Sequence, residues 1–145
     1  MHNVADAPRK PGLISFILDC QPTAVLVFPL VYSLLIPFFL VDLWTTAFQW
    51  ICFPMVGIPK VRRRDYLVLD RHKLGYLNVL EKMHCTYCAY ANGLVGYLRE
   101  IGARLEQHAC PIKHHKPEAS THHRYQKFVE FGDAEGYRRR LVELR

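Results

Sequence analysis

Hydrophobic and polar positions are segregated along this chain rather than interleaved. Residues 24–41 read AVLVFPLVYSLLIPFFLV, with no charge among them, and from 23 to 59 the sole formal charge is Asp42. About eighteen apolar residues in a helix suffice to cross a hydrocarbon core roughly 30 Å thick. The whole 23–59 stretch would measure about 55 Å as one helix, too long for a single crossing. Two arrangements fit. In the first, 24–41 spans, and a second helix over about 43–53 lies in the interface. Trp44, Ala47, Phe48 and Ile51 then form its apolar face, opposite Thr45, Thr46 and Gln49. In the second, the segment is a hairpin or re-entrant pair, with Asp42 near the turn or inside a protein contact. Asp42 reads as an interfacial residue, and Pro29 and Pro37 as kinks that a membrane helix tolerates. The run exceeds the 7–15 apolar residues, roughly, of a signal peptide, and no small-x-small site ends it, so it reads as retained.

Beyond residue 60 the pattern becomes that of short amphipathic helices. Leu74, Leu77 and Leu80 predict a helix over 71–83, and Leu94, Leu98, Ile101 and Leu105 one over 93–107. Glu100 and Arg104 form a favourable i,i+4 pair. Asn92-Gly93 either opens the second helix or is tolerated inside a longer one. Residues 114–123 read as a loop. Two more helices are expected over 124–131 and 134–144, with Asp133 capping the last. No stretch alternates as a strand does. The expected fold is all-α: an N-terminal transmembrane or re-entrant helical segment followed by a small juxtamembrane helical domain. The divisions are 1–22, 23–59 and 60–145.

The average composition, 50% hydrophobic and 22% charged over 145 residues, conceals this segregation. From residue 60 onward there are 17 Lys and Arg against 10 Asp and Glu, a net +7 with histidine neutral. A disordered chain, a collagen-like chain and a disulfide miniprotein are excluded. Lys60, Arg62, Arg63, Arg64, Arg71 and Lys73 follow the apolar segment, whereas Arg9 and Lys10 alone precede it. The positive-inside rule then puts the C-terminal domain in the cytoplasm. Arg62, Arg63 and Arg64 read as a topology anchor touching anionic lipid, with Trp44 and Trp50 at headgroup depth, and no nucleic acid is expected as a partner.

The candidate chemistry lies in cysteine and histidine. Cys20 and Cys52 belong to the apolar portion. The others are arranged as His84-Cys85-x2-Cys88 and His108-x-Cys110-Pro-Ile-Lys-His114-His115. Cys85, Cys88, Cys110 and His114 have the donor set of a Cys3His site, suited to Zn or an Fe-S cluster, with His84, His108 and His72 in reserve. One requirement is geometric. If a helix runs unbroken from about 76 to 107, the two cysteine groups cannot share an ion. Glu81-x-x-His84 has di-iron spacing but no second copy, so Glu81 reads as a surface helix residue. The histidines at 114, 115, 122 and 123 suit a solvated loop.

Several strings between 53 and 137 carry a family resemblance: Gly57-Ile58-Pro59, Arg64-Asp65-Tyr66, Asp70-Arg71-His72, Cys85-x2-Cys88-x-Tyr90-x-Asn92-Gly93, Cys110-Pro111-Ile112-Lys113-His114 and Gly132-Asp133-Ala134-Glu135. Together they resemble a family of small, functionally uncharacterised bacterial inner-membrane proteins. The resemblance implies membrane attachment and singles out the cysteine segments; His84 and His108 depart from its pattern. It implies no activity. The expected function is therefore a membrane-anchored accessory protein of the bacterial inner membrane. It carries a cytoplasmic Cys/His metal-binding module and works beside a larger membrane complex or a second copy of itself. The alternative is a thiol-disulfide redox protein or sensor using Cys85, Cys88 and Cys110. Catalysis is not the leading expectation: G-x-S-x-G and H-E-x-x-H are both missing from the sequence.

Overall fold

A computed structural model describes residues 22–116 and 118–144. The expected N-terminal segment, with Arg9, Lys10 and Cys20, lies outside the described residues. The described chain is mostly helical, with no strand among its residues. Four α-helices are described: α1 (Pro22–Ser33), α2 (Leu35–Met55), α3 (Val79–Ala109) and α4 (Ala134–Leu144). Single 3-10 turns occur at Arg63–Asp65, Arg71–Lys73 and Tyr125–Lys127.

The apolar segment differs from expectation at its break. Helix α2 runs straight through Asp42, and the interruption falls at Leu34. Pro37 accounts for it. Proline has no N–H to donate to the carbonyl four residues back, and its ring crowds that carbonyl. Pro37 therefore sits in the first turn of a new helix, where no donor is needed. Phe38 N–H resumes the ladder on Leu34 O at 3.1 Å. Leu26–Met55 is in consequence a 30-residue apolar helical stretch, long and apolar enough to cross a membrane, and only 6% of its apolar window is buried.

The C-terminus of α2 is closed by a Schellman motif. Ile58 N–H reaches Phe53 O at 2.9 Å and Gly57 N–H reaches Pro54 O at 3.4 Å. Gly57 takes φ +74°, where a side chain would strain the backbone. Phe53 and Ile58, the two apolar residues that such a motif brings together, are both buried.

Two compact units result. Among the described residues, the first comprises 22–44 and 63–95, and the second 45–62, 96–116 and 118–144. Each draws on both the apolar and the polar half of the sequence. In the first unit, α3 opens on a capping box. Asn78 Oδ1 accepts from Glu81 N–H at 2.9 Å, and Glu81 Oε2 accepts from Asn78 N–H at 2.8 Å. Residues 71–78 are thus a turn and a cap, not the first half of a helix. Gly93 lies inside α3, and a backbone passes so close to it that only glycine fits. A Cβ there would lie 2.6 Å from Tyr66 O.

In the second unit, Gln49 pairs with the backbone of Val61 as a strand would. Val61 N–H donates to Oε1 at 2.9 Å, and Nε2 donates to Val61 O at 3.2 Å. The same Nε2 also donates to the hydroxyl of the fully buried Tyr97. Residues 124–131 do not form the expected helix beyond one 3-10 turn. At Val129 the backbone pairs with 111–113 instead: Lys113 N–H donates to Val129 O and Val129 N–H to Pro111 O, both at 2.8 Å. Asp133 caps α4 as expected, accepting from Gly136 N–H at 2.8 Å.

Candidate functional site

The expected metal donors do not converge. Helix α3 is unbroken from Val79 to Ala109, with Cys85 and Cys88 near its start and Cys110 just past its end. At about 1.5 Å per residue, the helix between Cys85 and Cys110 rises roughly 37 Å. The unbroken helix is the geometry that the sequence reading sets against a shared Cys85, Cys88, Cys110 and His114 site. Among the described residues no three His, Cys, Asp or Glu side chains group in a way that could hold a metal ion. Cys52, Cys85, Cys88 and Cys110 are free thiols.

The reserve histidines have other partners. His84 Nδ1 lies 2.7 Å from the Tyr32 hydroxyl, and Phe28 meets the imidazole edge-on at 4.8 Å between centroids. His72 Nδ1 lies 2.7 Å from Leu69 O, inside its own turn. His114 is exposed and stacks on Tyr125, whose hydroxyl accepts the His114 N–H at 2.6 Å. His108 is half-buried in the last turn of α3.

The structure does assemble a cluster around Asp42, the lone carboxylate of the apolar segment. Asp42 is 5% exposed. Arg63 grips it with both forks: Nε donates to Oδ1 at 3.0 Å and Nη2 to Oδ2 at 2.5 Å. The Tyr90 hydroxyl donates to Oδ2 at 3.0 Å. Burial pushes the Tyr90 phenol above its ordinary value, and the Asp42 carboxylate it bonds raises it further. Arg63 is thus engaged by the protein. Its neighbours Arg62 and Arg64 remain exposed, as do Trp44 and Trp50. Lys60 Nζ lies 3.6 Å over the Trp50 ring, a cation–π contact. The signal for the Asp42 cluster was present in the sequence. A carboxylate in an apolar helix needs a cationic or hydrogen-bonding partner, and only the fold says which one.

A second carboxylate organises the other unit. Glu100 Oε1 accepts from Arg104 Nε and Arg124 Nη2, both at 2.8 Å, and Arg104 continues to Pro59 O at 2.6 Å. Burial alone would raise the Glu100 carboxyl. The hydrogen bonds and charges of Arg124 and Arg104 outweigh it and hold the group below the ordinary carboxylate range. Nearby, His122 Nε2 and Glu106 Oε2 are 2.9 Å apart. These groups are bonded to one another, which is the arrangement of a structural network rather than of a reacting centre.

The residues around α2 carry a different message. Its exposed positions are Ile36, Pro37, Phe39, Leu40, Val41, Leu43, Trp44, Ala47, Trp50, Ile51, Pro54 and Met55, while Asp42, Gln49 and Phe53 are buried and Thr45 and Thr46 half-buried. The spacing of three and four makes each set one face. The helix therefore turns its polar face to the protein and its apolar face outward. Phe48, expected on the outer face, is half-buried against Phe53 instead.

No family model, curated protein or solved structure matches this chain.

Proposed function

We propose that this protein is a membrane-anchored, non-catalytic accessory subunit, held by α1 and α2 at the bacterial cytoplasmic membrane, with its basic C-terminal region in the cytoplasm. It works beside a larger membrane complex. The observation that carries the reading is the reversed polarity of α2. A surface helix in water buries its apolar stripe and exposes its polar one. Here the opposite face is presented, and water would be the wrong solvent for it. Trp44 and Trp50 suit the depth of headgroups. Exposed Lys60, Arg62, Arg64, Arg71 and Lys73 supply the positive flank that orients such a segment. The expected metal module is left out of the proposal, because no group of His, Cys, Asp or Glu among the described residues supports it.

The test is fractionation followed by native electrophoresis. The chain should remain in the pellet after alkaline carbonate, and in mild detergent it should migrate together with a larger membrane polypeptide. Release by carbonate refutes the anchor. Migration of the chain alone refutes the accessory role.

A further inference from the structure

Past the Gly57 turn the chain runs back along α2. Ile58 N–H is bonded to Phe53 O, and three residues later Val61 is paired through both its backbone groups with the Gln49 side chain. Arg63 then grips Asp42, earlier still on the helix. Residues 58–63 are therefore not a tail that leaves the end of α2. They return beside the stretch from Met55 to Asp42, which is about 20 Å of helix at about 1.5 Å per residue.

This return limits how α2 can meet a bilayer. Lys60 and Arg62, on either side of Val61, are exposed. Val61 stands at Gln49, about 9 Å short of the helix end at Met55. Were this half of α2 to cross the membrane, Lys60 and Arg62 would be drawn down with it, and cations at hydrocarbon depth are costly. A helix lying flat avoids the conflict. Its outer face here is Leu43, Trp44, Ala47, Trp50, Ile51 and Met55, all exposed and none of them charged. At about 3.6 residues per turn these six occupy an arc of about 140° centred near Ala47. Asp42 and Gln49, both buried, lie on the opposite side. An apolar arc edged by indoles and cations is the pattern of a helix in the plane of the interface. Lys60 Nζ lies 3.6 Å over the Trp50 ring, so a cation and an indole of this face share one depth.

We propose that α2 from Asp42 to Met55 lies along one leaflet of the membrane instead of crossing it. The Ala47 face is set into the boundary between headgroups and acyl chains, with Lys60 and Arg62 among the headgroups. The partner of this surface is the lipid leaflet itself. The proposal rests on the anchor reading above and adds how the helix meets the bilayer.

The chain has two tryptophans, both on this face, so its own fluorescence reports depth. The full chain is reconstituted in phosphatidylcholine vesicles whose acyl chains carry bromine, a contact quencher of indole, either near the headgroup or near the bilayer centre. Three single-tryptophan chains are compared. Trp50→Phe reports from position 44 and Trp44→Phe from position 50. Trp44→Phe/Trp50→Phe/Met55→Trp reports from position 55, where the native side chain is 80% exposed and the larger ring displaces no packed neighbour. A helix along the leaflet gives all three the same ratio of shallow to deep quenching, and that ratio exceeds one. A helix across the bilayer separates positions 44 and 55 by about 17 Å of depth, and 44 and 50 by about 9 Å. A ratio that changes steadily from 44 through 50 to 55 overturns the proposal and leaves the anchor standing. Absence of quenching at every position overturns both. The two Trp→Phe chains make the comparison by themselves if the triple variant does not fold.

Discussion

Replacing Arg63 by methionine should destabilise the protein more than replacing Arg63 and Asp42 together. The single change removes both charge-assisted bonds from a carboxylate that is 5% exposed. Stranding one member of a buried pair costs about 3–5 kcal/mol. The Arg63 side chain is 47% exposed, so water screens the pair and the lower end, about 3 kcal/mol, applies. In the double variant Asp42→Asn/Arg63→Met no charge is left behind. The asparagine carbonyl can still accept from Tyr90, and the loss should be about 1 kcal/mol. For a chain of this length 1 kcal/mol moves Tm by about 3–4 °C. Thermal unfolding in detergent, followed by circular dichroism, should therefore place Arg63→Met about 10 °C below the unaltered protein, and the double variant about 3–4 °C below. A double variant melting at or below Arg63→Met would mean that the two residues are not coupled, and the argument from a stranded carboxylate would fail.

Three further outcomes are expected. Gly93→Ala should lower Tm by an amount equivalent to about 1–3 kcal/mol, because its Cβ would meet Tyr66 O at 2.6 Å; an unchanged melting curve would show that the passing backbone yields freely. Glu100 is held below its ordinary carboxylate value, so its contribution is fully present above the unfolded value and is lost as pH falls through the lower folded one. Tm measured from pH 7 down to about pH 3 should therefore fall less steeply in Glu100→Gln, and identical slopes would contradict the assignment. Dialysis against EDTA should leave Tm unchanged, and Cys110→Ser should leave the metal content of the purified chain unchanged, since Cys110 does not meet Cys85 and Cys88. A joint loss of metal and stability in both experiments would restore the shared site.

The local pattern determined a good deal. An uncharged run over 24–41 and one carboxylate in 23–59 can only be an apolar helix, because charge density and helical period are properties of neighbouring residues. The separation of Thr45, Thr46 and Gln49 from the apolar face with Trp44, Ala47 and Ile51, and the Asp133 cap, were legible for the same reason. Long-range partners were not. Asp42 finds Arg63 across 21 residues and Glu100 finds Arg124 across 24, and nothing in the spacing selects those arginines from the other cations. Gly93 has a poor helix propensity, yet it is helical, with the Tyr66 backbone lying where a side chain would stand. Helix α3 therefore runs unbroken from Val79 to Ala109, past the Asn92-Gly93 pair. Residues 124–131 have a helical pattern, but Val129 gives its backbone hydrogen bonds to 111–113. In each case a group needed a partner, as its local chemistry dictates. The partner came from elsewhere in the chain, and only the packed structure could name it.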